Sequence, residues 1–101
     1  MKFEWDAAKA AANRRKHGVL FEEATTVFFD PFAITVPDLE HSERERREKT
    51  TGVSSKLRVL VVVHVERMND RIRIISARKA SGEESRDYEE EVKTKLAQGE
   101  G

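Results

Sequence analysis

The sequence has no cysteine. Disulfide staples and thiolate metal sites are therefore excluded, and a reducing compartment fits such a chain. Long apolar runs are missing too. The longest, Leu57 to Val65, is broken by Arg58 and His64 and is too short to cross a bilayer. The start, Met1-Lys2-Phe3-Glu4-Trp5-Asp6, carries no apolar signal core. The expectation is a cytoplasmic protein with no membrane partner. Histidines number three, His17, His41 and His64, and are scattered without ligand spacing, so no metal and no cofactor are expected. There is no glycine-rich phosphate loop and no G-x-S-x-G elbow, which leaves nucleotide hydrolysis and α/β-hydrolase chemistry without support. Repeats, linkers and a composition break are absent as well. Residues 1–101 read as a single domain with one modest core, since 38% of residues are charged and 38% hydrophobic.

Net charge is zero, but it is not evenly spread. Residues 1–40 hold five Lys/Arg against seven Asp/Glu, residues 41–80 eleven against five, and residues 81–101 three against seven. The middle is basic, which suits a polyanion, although acidic flanks folding back would neutralise it locally. That middle holds the only long β-branched runs: Leu57 to Glu66, then Arg71 to Arg78, separated by Met68-Asn69-Asp70. A two- or four-residue loop predicts a hairpin with Val65 opposite Ile74, Val63 opposite Ser76 and Val61 opposite Arg78. On the other face Glu66 meets Arg73, His64 meets Ile75 and Val62 meets Ala77. Period-two alternation then puts Val59, Val61, Val63, Val65, Ile72 and Ile74 against helices. The opposite face, with Arg58, His64, Glu66, Arg71 and Arg73, becomes the functional one.

Around the hairpin, Lys2 to Trp5 alternates like an edge strand. Asp6 is a good N-cap for a helix over Ala7 to Lys16, with Gly18 as its stop. Phe21 to Phe28 reads as a second helix ended by Asp30-Pro31, and Phe32 to Val36 as a strand ended by Pro37. Asp38 to Arg47 is a polar loop. Glu48 to Val53 is a polar strand interrupted by Gly52, expected at an edge. Ser81-Gly82-Glu83-Glu84 is a capping box opening a helix to about Ala97, with a narrow stripe of Tyr88, Val92 and Leu96. The order predicts an α+β fold: a mainly antiparallel twisted sheet, two N-terminal helices on one face, and a C-terminal helix.

Several segments in order resemble the BrnT family of bacterial type II toxins. They are Phe3-Glu4-Trp5-Asp6, Arg15-Lys16-His17-Gly18-Val19 with Phe21-Glu22-Glu23-Ala24, and Val27-Phe28-Phe29-Asp30-Pro31. Further on come His41-Ser42-Glu43-Arg44, Val61 to Arg67, and Arg73 to Arg78 with Tyr88-Glu89. The resemblance spans roughly residues 3–90. It implies a RelE-like ribonuclease that cleaves RNA and arrests translation and growth. It also implies a BrnA-type antitoxin that neutralises the toxin, two toxins with two antitoxins, and contact with DNA only through that antitoxin. One departure is the polar stretch Arg47 to Gly52, where the family has a more apolar strand.

Metal-free RNA cleavage needs a base for the 2′-hydroxyl, cations for the phosphate and an acid for the leaving 5′-oxygen. Arginine suits the phosphate because its fork matches two oxygens. The candidate catalytic residues are Arg78, His41, His64, Glu43, Arg67 and Tyr88. The candidate phosphate-binding residues are Arg58, Arg71, Arg73 and Arg44. Each has a plainer reading. Arg73 reads first as a cross-strand partner of Glu66, and Arg78 as a partner of Glu83 or Glu84. His64 is a histidine among valines, His41 a solvated loop residue, and Tyr88 as much core as site. Lys16 and His17 read first as charges at a helix C-terminus. A non-catalytic module whose basic sheet binds a protein or nucleic acid is the alternative.

Overall fold

The computed structural model of the chain describes residues 1–42 and 44–99. Strand β1, Lys2–Glu4, leads into helix α1, Ala7–His17. The carboxylate of Asp6 accepts from the backbone N–H groups of Ala8 and Lys9 at 2.7 and 3.2 Å, and Gly18 ends the helix at φ 68°. This is the predicted cap at each end. Helix α2, Phe21–Thr26, is shorter than expected because Val27–Phe29 tightens into a 3₁₀ turn. Then come β2, Ile34–Pro37, β3, Glu48–Val53, β4, Val59–Arg67, β5, Arg71–Lys79, and α3, Gly82–Gln98. The capping box of Ser81 and Glu84 forms as the sequence predicts.

The sheet order is β1-β5-β4-β3-β2; β1 runs parallel to β5 and every other pair is antiparallel. The fold is thus the expected α+β architecture. Strand β3 is not an edge but lies between β4 and β2. Its polarity is reconciled with burial by local partners. Thr50 is 1% exposed, and its hydroxyl meets those of Thr35 and the His64 ring, both at 2.7 Å. Gly52 is required by close approach: a Cβ there would stand 3.0 Å from Val27 Cγ1 and 3.1 Å from both Ala33 Cβ and Asp30 Oδ2.

The hairpin register differs from the prediction near its turn. Arg67 pairs with Arg71, so the loop has three residues, Met68 to Asp70, with Asn69 and Asp70 in left-handed conformations at φ 65° and 58°. That odd loop moves His64 opposite Ile74 and Val65 opposite Arg73. A bulge that leaves Ile75 unpaired then restores Val63 to Ser76, Val62 to Ala77 and Val61 to Arg78, the pairs expected. Paired residues share a face, so the faces change. Leu60, Val62, Ile72, Ile74 and Ala77 pack with Val19, Phe21, Ala24 and Val27 under α1 and α2. Each fully buried Val, Leu, Ile or Phe side chain there contributes about 1.5–3 kcal/mol. The odd-numbered valines of β4, expected under those helices, face the other way.

That second face is not left bare. Ile34, Thr51, Val61 and Arg78 form one row across four strands. Glu84 of α3 grips Arg78, and Tyr88, one turn on, lies beside Ile34 and Thr51. Helix α3 therefore crosses this row, and Val61 beneath it is 2% exposed. The next row, Lys49, Val63 and Ser76, lies beyond the helix.

Candidate active site

The Lys49–Val63–Ser76 row is the floor of a groove of about 510 Å³. Arg78 and Ile75 continue the floor on β5, and Asp38, Glu40, His41 and Arg47 form one wall from the loop before β3. His17 forms the rim on the other side. It arrives there because α1 is docked on the free edge of β5. Beyond Arg73, β5 has no strand on that side among the described residues. Asn13 takes the vacant place: its amide donates to Ala77 O at 2.9 Å and its carbonyl accepts from Ala77 N–H at 3.0 Å. A third bond runs from the same amide to Val19 O at 2.9 Å. A side chain thus completes the ladder, and the last turn of α1 stands at the groove.

The loop wall is fixed by its own polar groups. Asp38 N–H donates to Arg47 O at 2.8 Å, closing the loop base. The Ser42 hydroxyl donates to Asp38 O at 2.6 Å and accepts from Arg47 N–H at 3.0 Å. Asp38 is 2% exposed, and its carboxylate lies 3.0 and 3.2 Å from His41 Nδ1. The His41 side chain is 62% exposed. The groove therefore presents two imidazoles, His17 and His41, with Arg78, Lys49 and Arg47 as cations. Such a set can hold a phosphate and move protons on either side of it.

Of the residues singled out in the sequence, Arg78 and His41 meet here. Arg78 holds Glu84 in a two-pronged pair at 2.7 and 2.9 Å. The Arg78 guanidinium beside it holds the Glu84 carboxyl down to about 2, and Glu84 in turn raises Arg78. Arg44 lies with His41, Glu40 and Arg47 around an adjoining hollow of about 500 Å³. Arg73 shares the open face but sits toward the far end of the sheet, in register with Glu4 and Val65. The expected pair with Glu66 does not form, because the three-residue loop moves Glu66 opposite Ile72. Arg67 ends β4, 3.6 Å from Glu45, and Arg71 contacts Glu4 at 3.3 Å, both away from the groove floor. Glu43 lies outside the described residues.

Three candidates prove to be built into the framework. Arg58 is on the helix side and not on the basic face. Its Nε donates to Glu23 Oε2 at 3.0 Å, with a second, very short contact from Nη2 to Oε1. The Arg58 guanidinium keeps the buried Glu23 carboxyl below its usual range. His64 is 3% exposed beneath the 3₁₀ turn that follows α2, edge-on to Phe28 at 4.8 Å between centroids. Burial pulls its imidazole down to about 4, against a smaller upward pull from Glu66. Tyr88 is buried, and its hydroxyl donates to Asp30 Oδ2. Burial and that bond push the phenol up to about 12. His17, Asp38, Arg47 and Lys49 also line the groove, although the sequence did not single them out as site candidates. The resemblance already contained His17, but its place at a helix end offered a sufficient electrostatic reason for it. Asp38, three residues before His41, carried the only spacing signal.

The family model for the ribonuclease toxin BrnT of type II toxin–antitoxin systems matches residues 5–84. Among solved structures, the crystal structure of the Brucella abortus ribonuclease toxin BrnT superposes with a TM-score of 0.64 at 25% identity, over 80% of this chain and 97% of that one. No curated protein matches the sequence.

Proposed function

Since the chain belongs to the BrnT family of ribonuclease toxins of type II toxin–antitoxin systems, we propose that it cleaves RNA in the groove between α1 and the 38–47 loop. The observation that carries this assignment is the convergence of His17, His41, Lys49 and Arg78 on one open stretch of sheet. The scissile phosphate lies over Lys49 and Arg78. His41 takes the 2′-hydroxyl proton, the 2′-oxygen attacks phosphorus, the bond to the 5′-oxygen breaks, and His17 protonates the leaving oxygen. Arg78 is oriented by Glu84 and adds charge where the pentavalent phosphate develops it. Arg44 and Arg73, at either end of the open face, steer the flanking backbone.

A toxin of this kind has an antitoxin as partner and RNA as target. We assign the partner as BrnA-type, the assembly as two toxins with two antitoxins, DNA contact as the antitoxin's, and the site of action as the cytoplasm. Val36 and Leu39, 45% and 85% exposed beside the β2 edge, are apolar surface that suits such a partner. Cleavage proceeds without a metal, with arginine and lysine in the place of a cation. Among the described residues no three His, Asp or Glu side chains gather as metal ligands would. Among the described residues no helix is long and apolar enough to cross a membrane.

The test is growth arrest on induction, together with RNA cleavage by the purified toxin. Arg78→Ala should lose roughly 30- to 1,000-fold in cleavage rate, the loss of one contact tightened in the transition state. His41→Ala and His17→Ala should each lose about 100-fold or more. Arg14→Ala, on the exposed side of α1, is the control and should behave as wild type. If both histidine variants cleave at full rate while folded, the groove is not the active site.

A further inference from the structure

Asp38 is a buried carboxylate, 2% exposed. Among the described residues its carboxylate oxygens have one hydrogen-bonding partner, the Nδ1 of His41, at 3.0 and 3.2 Å. Burying an ionised group is costly unless it is hydrogen-bonded or paired. The fold meets that cost for the sake of a contact with a side chain that is itself 62% exposed. A loop that needed only to be closed has other means in place: Asp38 N–H on Arg47 O, and the Ser42 hydroxyl bridging Asp38 O and Arg47 N–H. None of these uses the Asp38 side chain. The carboxylate is thus surplus to the loop and specific to the imidazole.

A carboxylate can only accept, so the Nδ1 it faces must carry the proton. The lone pair of the neutral ring is then on Nε2, at the edge of the imidazole away from Asp38. We propose that Asp38 is the positioning residue for His41 in RNA cleavage, holding the ring in the tautomer and orientation whose Nε2 accepts the 2′-hydroxyl proton. When Nε2 gains that proton the ring is cationic, and Asp38 stabilises it without itself becoming protonated. The inference rests on His41 acting in the groove. Asp38 touches neither substrate nor reacting atoms.

The experiment follows RNA cleavage in a cell-free translation extract, which offers both free and ribosome-bound RNA, alongside nitrogen-15 NMR of the histidine rings. In the wild-type toxin near neutral pH, the neutral His41 ring should carry its proton on Nδ1. Asp38→Ala should slow cleavage about 30-fold or more with apparent KM changed by less than about 3-fold, as expected when orientation and not binding is lost. Added formate should recover at least about 5-fold of that rate, because it replaces the missing carboxylate. In a His41→Ala background, Asp38→Ala should cost less than about 2-fold further, and formate should do nothing, since the two residues act as one unit. A wild-type ring protonated on Nε2 would overturn the proposal without any variant. So would an Asp38→Ala toxin that is folded and fully active while His41→Ala is inactive. If Asp38→Ala does not fold, Asp38→Asn carries the same kinetic comparison. Full activity in His41→Ala instead removes the underlying site assignment, an outcome distinct from failure of Asp38 alone.

Discussion

His64 lies between the Phe28 ring and Thr50, and its Nδ1 is buried without a hydrogen-bond partner among the described residues. Neutral, it is tolerated; charged, it would be an uncompensated ion in the core. With a folded value of about 4 against an ordinary 6.5, protons bind the unfolded chain more readily than the folded one. Stability should therefore fall as pH drops from about 6.5 toward 4, by on the order of 3 kcal/mol in total. His64→Leu should flatten that stretch of the curve while costing no more than about 1 kcal/mol at pH 7, because Thr50 keeps Thr35 as a partner. Urea midpoints measured from pH 7 to 4 check both parts. Two arginines that hold carboxylates in two-pronged pairs, Arg58 and Arg78, make a second contrast. Glu23 has 3% of its side chain exposed, so Arg58→Ala strands a buried charge and should destabilise by about 3–5 kcal/mol. Glu84 has 33% of its side chain exposed, so Arg78→Ala should cost about 1 kcal/mol or less. Denaturation of the two variants side by side separates a framework arginine from one whose loss shows in cleavage.

Strand β3 is central although its sequence, Glu48-Lys49-Thr50-Thr51-Gly52-Val53, lacks the apolar alternation of a central strand. Thr50 satisfies its hydroxyl inside the sheet, and Gly52 admits the 27–33 segment against it. Gly52→Ala should destabilise by about 1–3 kcal/mol, because the nearest atoms belong to packed side chains with little room to retreat. Thermal melting reads this directly. Helix α3 is held by few contacts, but they are well placed. Arg78 grips its first turn, and Tyr88 reaches Asp30, whose carboxylate also accepts from the N–H groups of Phe32 and Val53. Burial alone would raise Asp30, yet the bonds from Tyr88, Val53 and Phe32 together leave it lowered. Tyr88→Phe should cost about 1–2 kcal/mol and loosen α3 without unfolding the sheet. Amide hydrogen exchange should then speed up in residues 82–98 and not in β4.

At the level of the whole molecule, zero net charge coexists with a groove carrying Arg47, Lys49 and Arg78. RNA binding there should weaken with salt, as expected when phosphates release counterions to protein cations. Cleavage by the metal-free toxin should persist in EDTA at a rate within about 2-fold of that with magnesium, if the cations at the phosphate are side chains. Cleavage assays over a salt series, with and without chelator, measure both. Abolition by EDTA and recovery with a divalent ion would overturn the metal-free assignment.

The sequence by itself determined the elements and their order. Asp6 and Gly18 bracket α1, Ser81 and Glu84 start α3, and the β-branched runs make the hairpin, because caps and period-two patterns are local physics. The segments around Asp6 and Gly18 and the two β-branched runs also carried the family resemblance. Tertiary structure alone decided the faces. One residue more or less in the hairpin loop exchanges the two sides of a strand, and the bulge at Ile75 exchanges them back, so composition could not say whether Val61 or Val62 lay under α1 and α2. It also decided which polar residues were framework. Arg58 and His64 find Glu23 and Thr50 from distant parts of the chain. The groove came together the same way. Asn13 docks α1 on the β5 edge 64 residues away and brings His17 opposite His41. No local pattern encodes that distance, because the hydrogen bonds that set it form only when the edge strand is already in place.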